Sequence, residues 1–302
     1  MTLISAATVE MDFAGRLAGV REEIDLRLAA LLPEAGNERD LVALAMRDCT
    51  LAPGKRVRPI LLILAAEGLG HTGHQAVDLA CAVEMVHAAS LVLDDMPCMD
   101  NARLRRGRET VHVRFGEDVA ILTAVALLSR AFGLVASIPE LRPEVRTQLV
   151  EIIANTVGMK GLVRGQLQDL RDGAHARSAE DIALTNELKT GVLFGAVMDM
   201  AWLVSDAPAA VRPALQAFAV ELGQAFQLLD DLQDHCIDTA KDQGKDDGKS
   251  TLVALYGKHQ VRDRLQAHLS SADRHLREAF GAEQQYINGF VASIFAKAVA
   301  LG

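Results

Sequence analysis

The sequence predicts an all-α fold, a helical bundle in one domain over residues 1–302, on three observations. Hydrophobic residues fill 50% of the 302 positions while aromatics supply only 4%, and the abundance of Ala, Leu and Val favours helices packed through small side chains over an aromatic-rich β-sandwich. Long stretches carry helical apolar spacing between short Gly, Pro, His or Asp segments, and no alternating strand pattern competes. No linker rich in Gly, Ser or Pro and no internal repeat divides the chain.

Taken in order, the spacing predicts helices over about 12–31, 38–49, 56–68, 75–95, 117–137, 144–170, 179–205, 210–236, 259–280 and 284–299. Pro33, Pro53, the Gly70-His71-Thr72-Gly73 turn, Pro139 with Pro143, and Pro208 with Pro213 separate them, because proline lacks an amide donor and glycine tolerates turn dihedrals. The run from Val119 to Ile138 reaches membrane-spanning length but contains Arg130 and is mostly Ala, Val and Leu, so it is expected to be a buried bundle helix without a transmembrane segment. The segment DLACAVEMVHAASLVLDD, Asp78 to Asp95, is apolar on nearly every face and should be the central helix. Inside it, His87 lies seven residues before Asp94, on nearly the same face and about 10 Å away; a lone buried His more often satisfies a core hydrogen bond.

Lys and Arg number 31 against 40 Asp and Glu, a net charge of −9, which argues against a nucleic-acid partner. Cys49, Cys81, Cys98 and Cys236 fit no zinc spacing and no disulfide scaffold. The N-terminus has neither a basic start nor a continuous apolar core. A cytoplasmic location is the expectation.

Two acidic clusters carry the chemistry. Asp94, Asp95 and Asp100 in DDMPCMD stand at the exit of the apolar helix, where Pro97 should end it and let the chain turn the third carboxylate back toward the first. Such a group is costly unless cations or hydrogen bonds compensate it, and hard oxygen donors suit Mg²⁺. For one cluster alone, a solvated turn reads equally well. Asp230, Asp231 and Asp234 in FQLLDDLQD repeat the pattern, with Asp230 and Asp234 on one helical face; the repetition favours a site for two or three cations.

Basic residues follow each cluster: Arg103, Arg105, Arg106 and Arg108, then Lys241, Lys245 and Lys249. Polyphosphate bridging metals and guanidiniums would use both sets, whereas ordinary surface pairing is the bland alternative. Lys55, Arg56 and Arg58 in PGKRVRP and Lys189 before Thr190 in ELKTG add further positive charge. Paired carboxylates also serve glycoside chemistry, but adjacent Asp pairs, cationic surroundings and an apolar wall do not suit a hydrated sugar. No dinucleotide, P-loop, HExxH or GxSxG motif is present. DDGKST at 246–251 ends like a phosphate loop without its spaced glycines, and Lys249 is read as facing phosphate.

Together GKRVRP at 54–59, EMVHAASLVLDDMPCMDNARLRRGRET at 84–110, GLVRGQLQDL at 161–170, LKTG at 188–191, GQAFQLLDDLQD at 223–234 and KDDGKST at 245–251 resemble the trans-isoprenyl diphosphate synthases, most closely the bacterial carotenoid-pathway geranylgeranyl diphosphate synthases. The resemblance implies an isoprenoid synthase-type bundle around a deep central cavity, usually a homodimer, with condensation of isopentenyl diphosphate and allylic diphosphates dependent on three Mg²⁺ ions. It implies Asp94, Asp100 and Asp230 as direct Mg²⁺ ligands, with Asp95, Asp231 and Asp234 completing the acidic shell. Arg105, Lys189 and Lys249 would hold the allylic diphosphate; Lys55, Arg58, His87 and Arg106 would hold isopentenyl diphosphate. Thr190 and Gln227 would face the reacting carbons, and Gln166 with Asp169 would support Lys189 and the metal waters. Ala240 departs from the family, which usually has glycine there, and this bears on the placing of Lys241.

Product length follows from Ala89 and Ser90. Position 89 lies five residues before Asp94, about 7.5 Å along the helix, where related farnesyl diphosphate synthases carry an aromatic residue. Small side chains there leave room for a twenty-carbon product; the alternative is that Ala89 merely permits close helix packing. Farnesyl diphosphate synthesis, a non-catalytic regulatory subunit and a class I terpene cyclase are the competing functions, the last opposed by DDLQD as the second acidic motif.

Overall fold

The computed structural model describes residues 3–172, 178–234, 252–281 and 285–300. Its helices are α1 (Leu3–Leu31), α2 (Leu41–Thr50), α3 (Val57–Gly68), α4 (Gln75–Asp94), α5 (Val111–Phe115), α6 (Glu117–Ala136), α7 (Pro143–Val157), α8 (Leu162–Asp172), α9 (Ala179–Asn186), α10 (Val192–Val204), α11 (Arg212–Asp234), α12 (Leu252–Phe280) and α13 (Gln285–Ala300). Helices account for almost all described structure, as predicted. The exception is a hairpin of two two-residue strands, β1 (Leu104–Arg105) and β2 (Arg108–Glu109), paired antiparallel. Its loop is Arg106-Gly107, both at positive φ (54° and 76°), the left-handed pair that a tight two-residue hairpin requires.

Helix α4 is the central element, and most of its residues are buried. It packs on α6, α3, α1 and α2, and a single continuous core runs from Val20 in α1 to Phe295 in α13. Both α4 and α6 have the length and hydropathy of a membrane span. In α4 that apolarity is consumed by neighbouring helices. Helix α6 buries Ala120, Thr123, Ala124, Leu127 and Ala131 on its inner side and leaves Ile121, Leu122 and Val125 about half exposed outside.

The structure corrects several boundaries. The helix expected over 144–170 is two, α7 and α8, broken at Gly158–Gly161. A Cβ on Gly158 would lie 2.8 Å from the Ala154 carbonyl oxygen, and one on Gly161 would strike the Thr156 carbonyl. The helix expected over 179–205 is interrupted by a π turn, Glu187–Gly191. Helix α12 starts seven residues early and kinks at Gly257 (φ 77°), and α1 begins at Leu3. Residues 235 and 236 of the helix expected to end at 236 lie outside the described residues.

Glycine sets the approach of α8 and α11 to the π turn. A Cβ on Gly165 of α8 would come within 2.5 Å of the Lys189 backbone nitrogen, and one on Gly223 of α11 within 2.9 Å of the Gly191 Cα. Both obstacles are backbone, which cannot swing aside as a long side chain can. Gly223→Ala is therefore expected to cost about 1–3 kcal/mol in urea unfolding through forced backbone separation. Gly19→Ala in α1, where the added methyl meets nothing within 4 Å, should gain about 0.5–1 kcal/mol from helix propensity.

Candidate functional site

The site begins where α4 stops. Asp94 is its last residue, and Pro97, without an amide hydrogen, prevents continuation. The chain folds back at once: the Asp100 amide donates to the Asp94 carbonyl (2.9 Å), that of Asn101 to Met96 (2.9 Å) and that of Ala102 to Asp95 (3.1 Å). This is the predicted return of the third carboxylate. Burial raises the Asp94 carboxyl to about 6, with Asp100 and Asp95 adding repulsion against the pull of Lys189 and Arg105.

Asp95 has a different employment. The Arg105 guanidinium forks onto it, Nε donating to its two oxygens at 2.9 and 2.8 Å and Nη2 at 2.6 Å. Burial still pushes Asp95 upward despite that partner. Arg105 is delivered by the hairpin, where it pairs across the sheet with Arg108. The hairpin also reaches the basic loop before α3: Arg106 Nη1 donates to the Pro53 carbonyl at 3.2 Å, and a Cβ on Gly54 would collide with that guanidinium.

Facing the acidic turn is the π turn. Lys189 Nζ donates to Asp169 Oδ2 of α8 at 2.8 Å. Burial opposes the ammonium, but Asp169, Asp94 and Asp100 more than reverse the effect and hold it above its ordinary range. The neighbouring Thr190 hydroxyl donates to Gln227 Oε1 of α11 at 3.1 Å. The extra residue of the π turn thus sets Lys189 on α8 and Thr190 on α11. Gln166 Nε2 contacts Met99 Sδ at 3.7 Å, while its Oε1 is buried with no protein partner.

The second acidic cluster closes α11. Asp230 acts electrostatically on Arg58, and Asp231 Oδ2 accepts from the Leu252 amide at 3.3 Å at the start of α12. Asp234 ends the helix; its side chain, and Ala240, Lys241, Lys245 and Lys249, lie outside the described residues.

Arg58 stacks over the Phe194 ring, 4.6 Å to the centroid, with its Nε buried and unpartnered. Burial lowers its pKa to about 10. His87 is held well below its usual range, first by burial and then by Arg58, Arg106, Arg105 and Arg56, so it is neutral at pH 7. Lys55 is exposed, Ala89 is wholly buried, and the Ser90 hydroxyl donates to the His87 carbonyl at 2.9 Å.

The donor set suits a hard divalent cation: oxygen ligands, one carboxyl raised by unrelieved burial and repulsion, and an orphaned amide oxygen at Gln166. Among the described residues no three acidic, His or Cys groups converge as a closed cage.

Arg56, read in the sequence only as further positive charge, and two carboxylates given no role there hold this arrangement. Arg56 sits at φ 49° before α3, its guanidinium donating to Glu84 of α4 at 2.6 Å and to Asp25 of α1 at 3.0 Å. That ion-pair group fixes the loop bearing Lys55 and Arg58. Glu84 is, with His87, an internal ionisable residue of an otherwise apolar segment, which is a signal in the sequence; Asp25 has none.

A helical bundle whose central, largely buried helix ends in carboxylates, with arginines on a hairpin and a lysine on a facing π turn, is an enzyme scaffold for an anionic leaving group beside apolar walls. The polyprenyl synthetase family matches residues 39–283. The chain is 56% identical over 261 residues to a geranylgeranyl diphosphate synthase of Pantoea ananas, covering 85% of each chain. It superposes with a TM-score of 0.85 on a FPP/GFPP synthase from Zymomonas mobilis, 32% identical, over 94% of this chain and 99% of that one. The TM-score is also 0.85 to a geranyltransferase from Helicobacter pylori complexed with magnesium and isoprenyl diphosphate, 26% identical, over 93% and 97% of the two chains. The chain belongs to the polyprenyl synthetase family of prenyltransferases.

Two outcomes follow from the charges. Glu84→Gln leaves the buried Arg56 with Asp25 as its one remaining carboxylate and is expected to cost about 1–3 kcal/mol of stability by denaturant unfolding. The Asp94 carboxyl, at about 6 against 3.8 unfolded, binds its proton more tightly when folded, so it costs stability above the folded pKa and the cost vanishes below the unfolded one. Asp94→Asn should therefore stabilise the metal-free protein at pH 7.5, on the order of 1–3 kcal/mol, and leave it nearly unchanged at pH 4.

Proposed function

We propose that this chain condenses isopentenyl diphosphate with allylic diphosphates, from dimethylallyl through geranyl to farnesyl, and releases geranylgeranyl diphosphate and diphosphate. The observation that carries the reading is the juxtaposition of Asp94 and Asp100 with Lys189 and Arg105 at the end of an apolar helix.

Magnesium suits the acidic groups, with Asp94, Asp100 and Asp230 as its ligands, Asp231 and Asp234 supporting, and three ions as the proposed number. When bound it supplies neutralisation of the departing diphosphate. The chain's own cations contribute beside it. Arg105 and Lys189, with Lys249, bind the allylic diphosphate and stabilise the charge that gathers on the departing oxygen as the C–O bond breaks. Asp95 holds Arg105 in place through its fork, which makes it a positioning residue more than a ligand.

Arg58, Arg106, Lys55 and neutral His87 receive the diphosphate of isopentenyl diphosphate; the unpartnered Arg58 Nε supports that assignment. Binding then orients the terminal double bond toward the allylic carbon at short range. Thr190 and Gln227 present oxygens to the developing cation, and apolar walls exclude the water that would quench it. A diphosphate oxygen takes the proton that leaves.

The exposed apolar strip of α6, Ile121, Leu122 and Val125, supports a homodimer. The continuous core supports one domain over 1–302. Among the described residues Cys49, Cys81 and Cys98 are free thiols, which supports a cytoplasmic location; the likeness to a geranylgeranyl diphosphate synthase of Pantoea ananas supports a place in carotenoid-type isoprenoid supply.

Incubation with Mg²⁺, isopentenyl diphosphate and each allylic starter, followed by chromatography of the dephosphorylated products, is expected to end at geranylgeraniol. Farnesol alone would reject the product length and keep the chemistry; no condensation by folded protein would move the regulatory-subunit reading forward. Lys189→Ala should lower kcat/KM by about 100-fold or more. An aromatic residue in place of Ala89 or of Ser90 should shorten the longest product to fifteen carbons, and unchanged twenty-carbon output from both variants would remove these positions from length control.

A further inference from the structure

Beside the hairpin lies a cavity of about 390 Å³, lined by Leu44, Arg47 and Asp48 of α2, Leu51, Arg108 of β2, and Arg114 and Phe115 of α5. Three arginines and one carboxylate meet there in a chain whose net charge is −9. Arg47 is fixed by the carbonyls of Ala29 (3.0 Å) and Leu32 (3.3 Å) and by Glu34 (3.1 Å). Arg108 and Arg114 both donate to the same oxygen, Asp48 Oδ1, at 2.5 Å. One carboxylate thus answers two guanidiniums, each with five N–H donors in a fork that matches phosphate oxygens. The Arg114 guanidinium also lies over the Phe115 ring, 5.1 Å from its centroid. With Leu44 and Leu51, that ring gives the cavity an apolar side within reach of the cationic one.

We propose that this cavity is a second binding site for a diphosphate group, separate from the catalytic mouth, with Arg108 and Arg114 as the anion-binding donors and Leu44, Leu51 and Phe115 receiving a short apolar substituent. The volume falls in the range of small-molecule sites. Asp48 acts as the resident counter-ion that the ligand displaces, and both guanidiniums are about half exposed to an incoming ligand. The site is wired to the catalytic one by the shortest route in the sheet, since Arg108 is the cross-strand partner of Arg105, whose guanidinium holds Asp95. A diphosphate drawn onto Arg108 bears on the rung that places Arg105.

Two sources share that chemistry, inorganic diphosphate and a prenyl diphosphate. The test is equilibrium dialysis of the full chain, without divalent metal, against labelled inorganic diphosphate and, separately, labelled isopentenyl diphosphate, comparing wild type with Arg114→Gln and Arg114→Lys. Arg114 has no part in the catalytic mouth, so condensation rates at low ligand should match wild type in both variants. The expected result is a saturable binding component weakened at least tenfold by Arg114→Gln and partly restored by Arg114→Lys. Equal loss for both ligands assigns the site to the diphosphate group alone; greater loss for the prenyl ester adds the apolar wall. Identical isotherms in wild type and Arg114→Gln for both ligands overturn the proposal. Because binding is read without turnover, failure here leaves the condensation assignment untouched, and failure of condensation leaves this isotherm interpretable.

Discussion

Carboxylates are poorly placed at the carbonyl end of a helix, and worse placed when that helix is sheathed in other helices. There the helix dipole, the like charges and the low-polarity surroundings all oppose ionisation. Asp94 and Asp95 stand in that position at the end of α4. The structure around them is largely a response to it: a turn closed by three backbone hydrogen bonds, a hairpin that brings Arg105 to Asp95, and a π turn that brings Lys189 toward Asp94. The response is incomplete, because Asp94 is still raised to about 6. A shortage of positive charge that the protein does not itself relieve is what makes the place receptive to a cation carrying an anionic ligand.

The same constraint explains why backbone irregularities gather here. A regular helix offers side chains to a point only along one face, whereas Lys189 and Thr190, adjacent in sequence, must engage α8 and α11 respectively. The π turn accomplishes that, and it is stable because Gly165 and Gly223 let two helices approach its backbone more closely than any side chain would allow. Likewise Arg56, at positive φ, is held by two carboxylates from α1 and α4, so the strain of its backbone is carried by an ion-pair group. Lys189, Thr190 and the loop before α3 are thereby placed on rigid supports.

The fold class was legible because apolar periodicity over long segments is a redundant signal, and Asp94, Asp100 and Asp230 stood out because adjacent carboxylates after an apolar run have few structural uses. The breaks at proline and at Gly70–Gly73 were legible, but those at Gly158–Gly161 and at the π turn were not. Gly158 and Gly161 lie inside an otherwise helical pattern, and only the carbonyls they would strike show why the helix stops between α7 and α8. The π turn keeps helical composition and differs by a single residue of register. The resemblance had set Asp95 apart from Asp94, but the partner that claims it was not legible, since nothing in the sequence says which of two adjacent carboxylates Arg105 will hold.

Helix geometry also separates the parts of α4 that handle charge from those that handle the hydrocarbon. Successive residues turn by about 100°, so His87 and Ser90 share the face of Asp94, while Ala89 is turned about 140° from it. The burial agrees: His87 and Ser90 are partly accessible, whereas Ala89 is wholly enclosed. A larger side chain at 90 would enter the space along that face directly. One at 89 has no void of its own and can act only by pushing its neighbours aside, with an overpacking cost as the consequence. If the prenyl tail runs along the Asp94 face, its length is limited by Ser90 through direct contact and by Ala89 through packing, and neither disturbs the carboxylates a turn away. On the proposed reading, that separation would let one helix fix the site of bond formation while leaving product length open to change by substitutions that carry no charge.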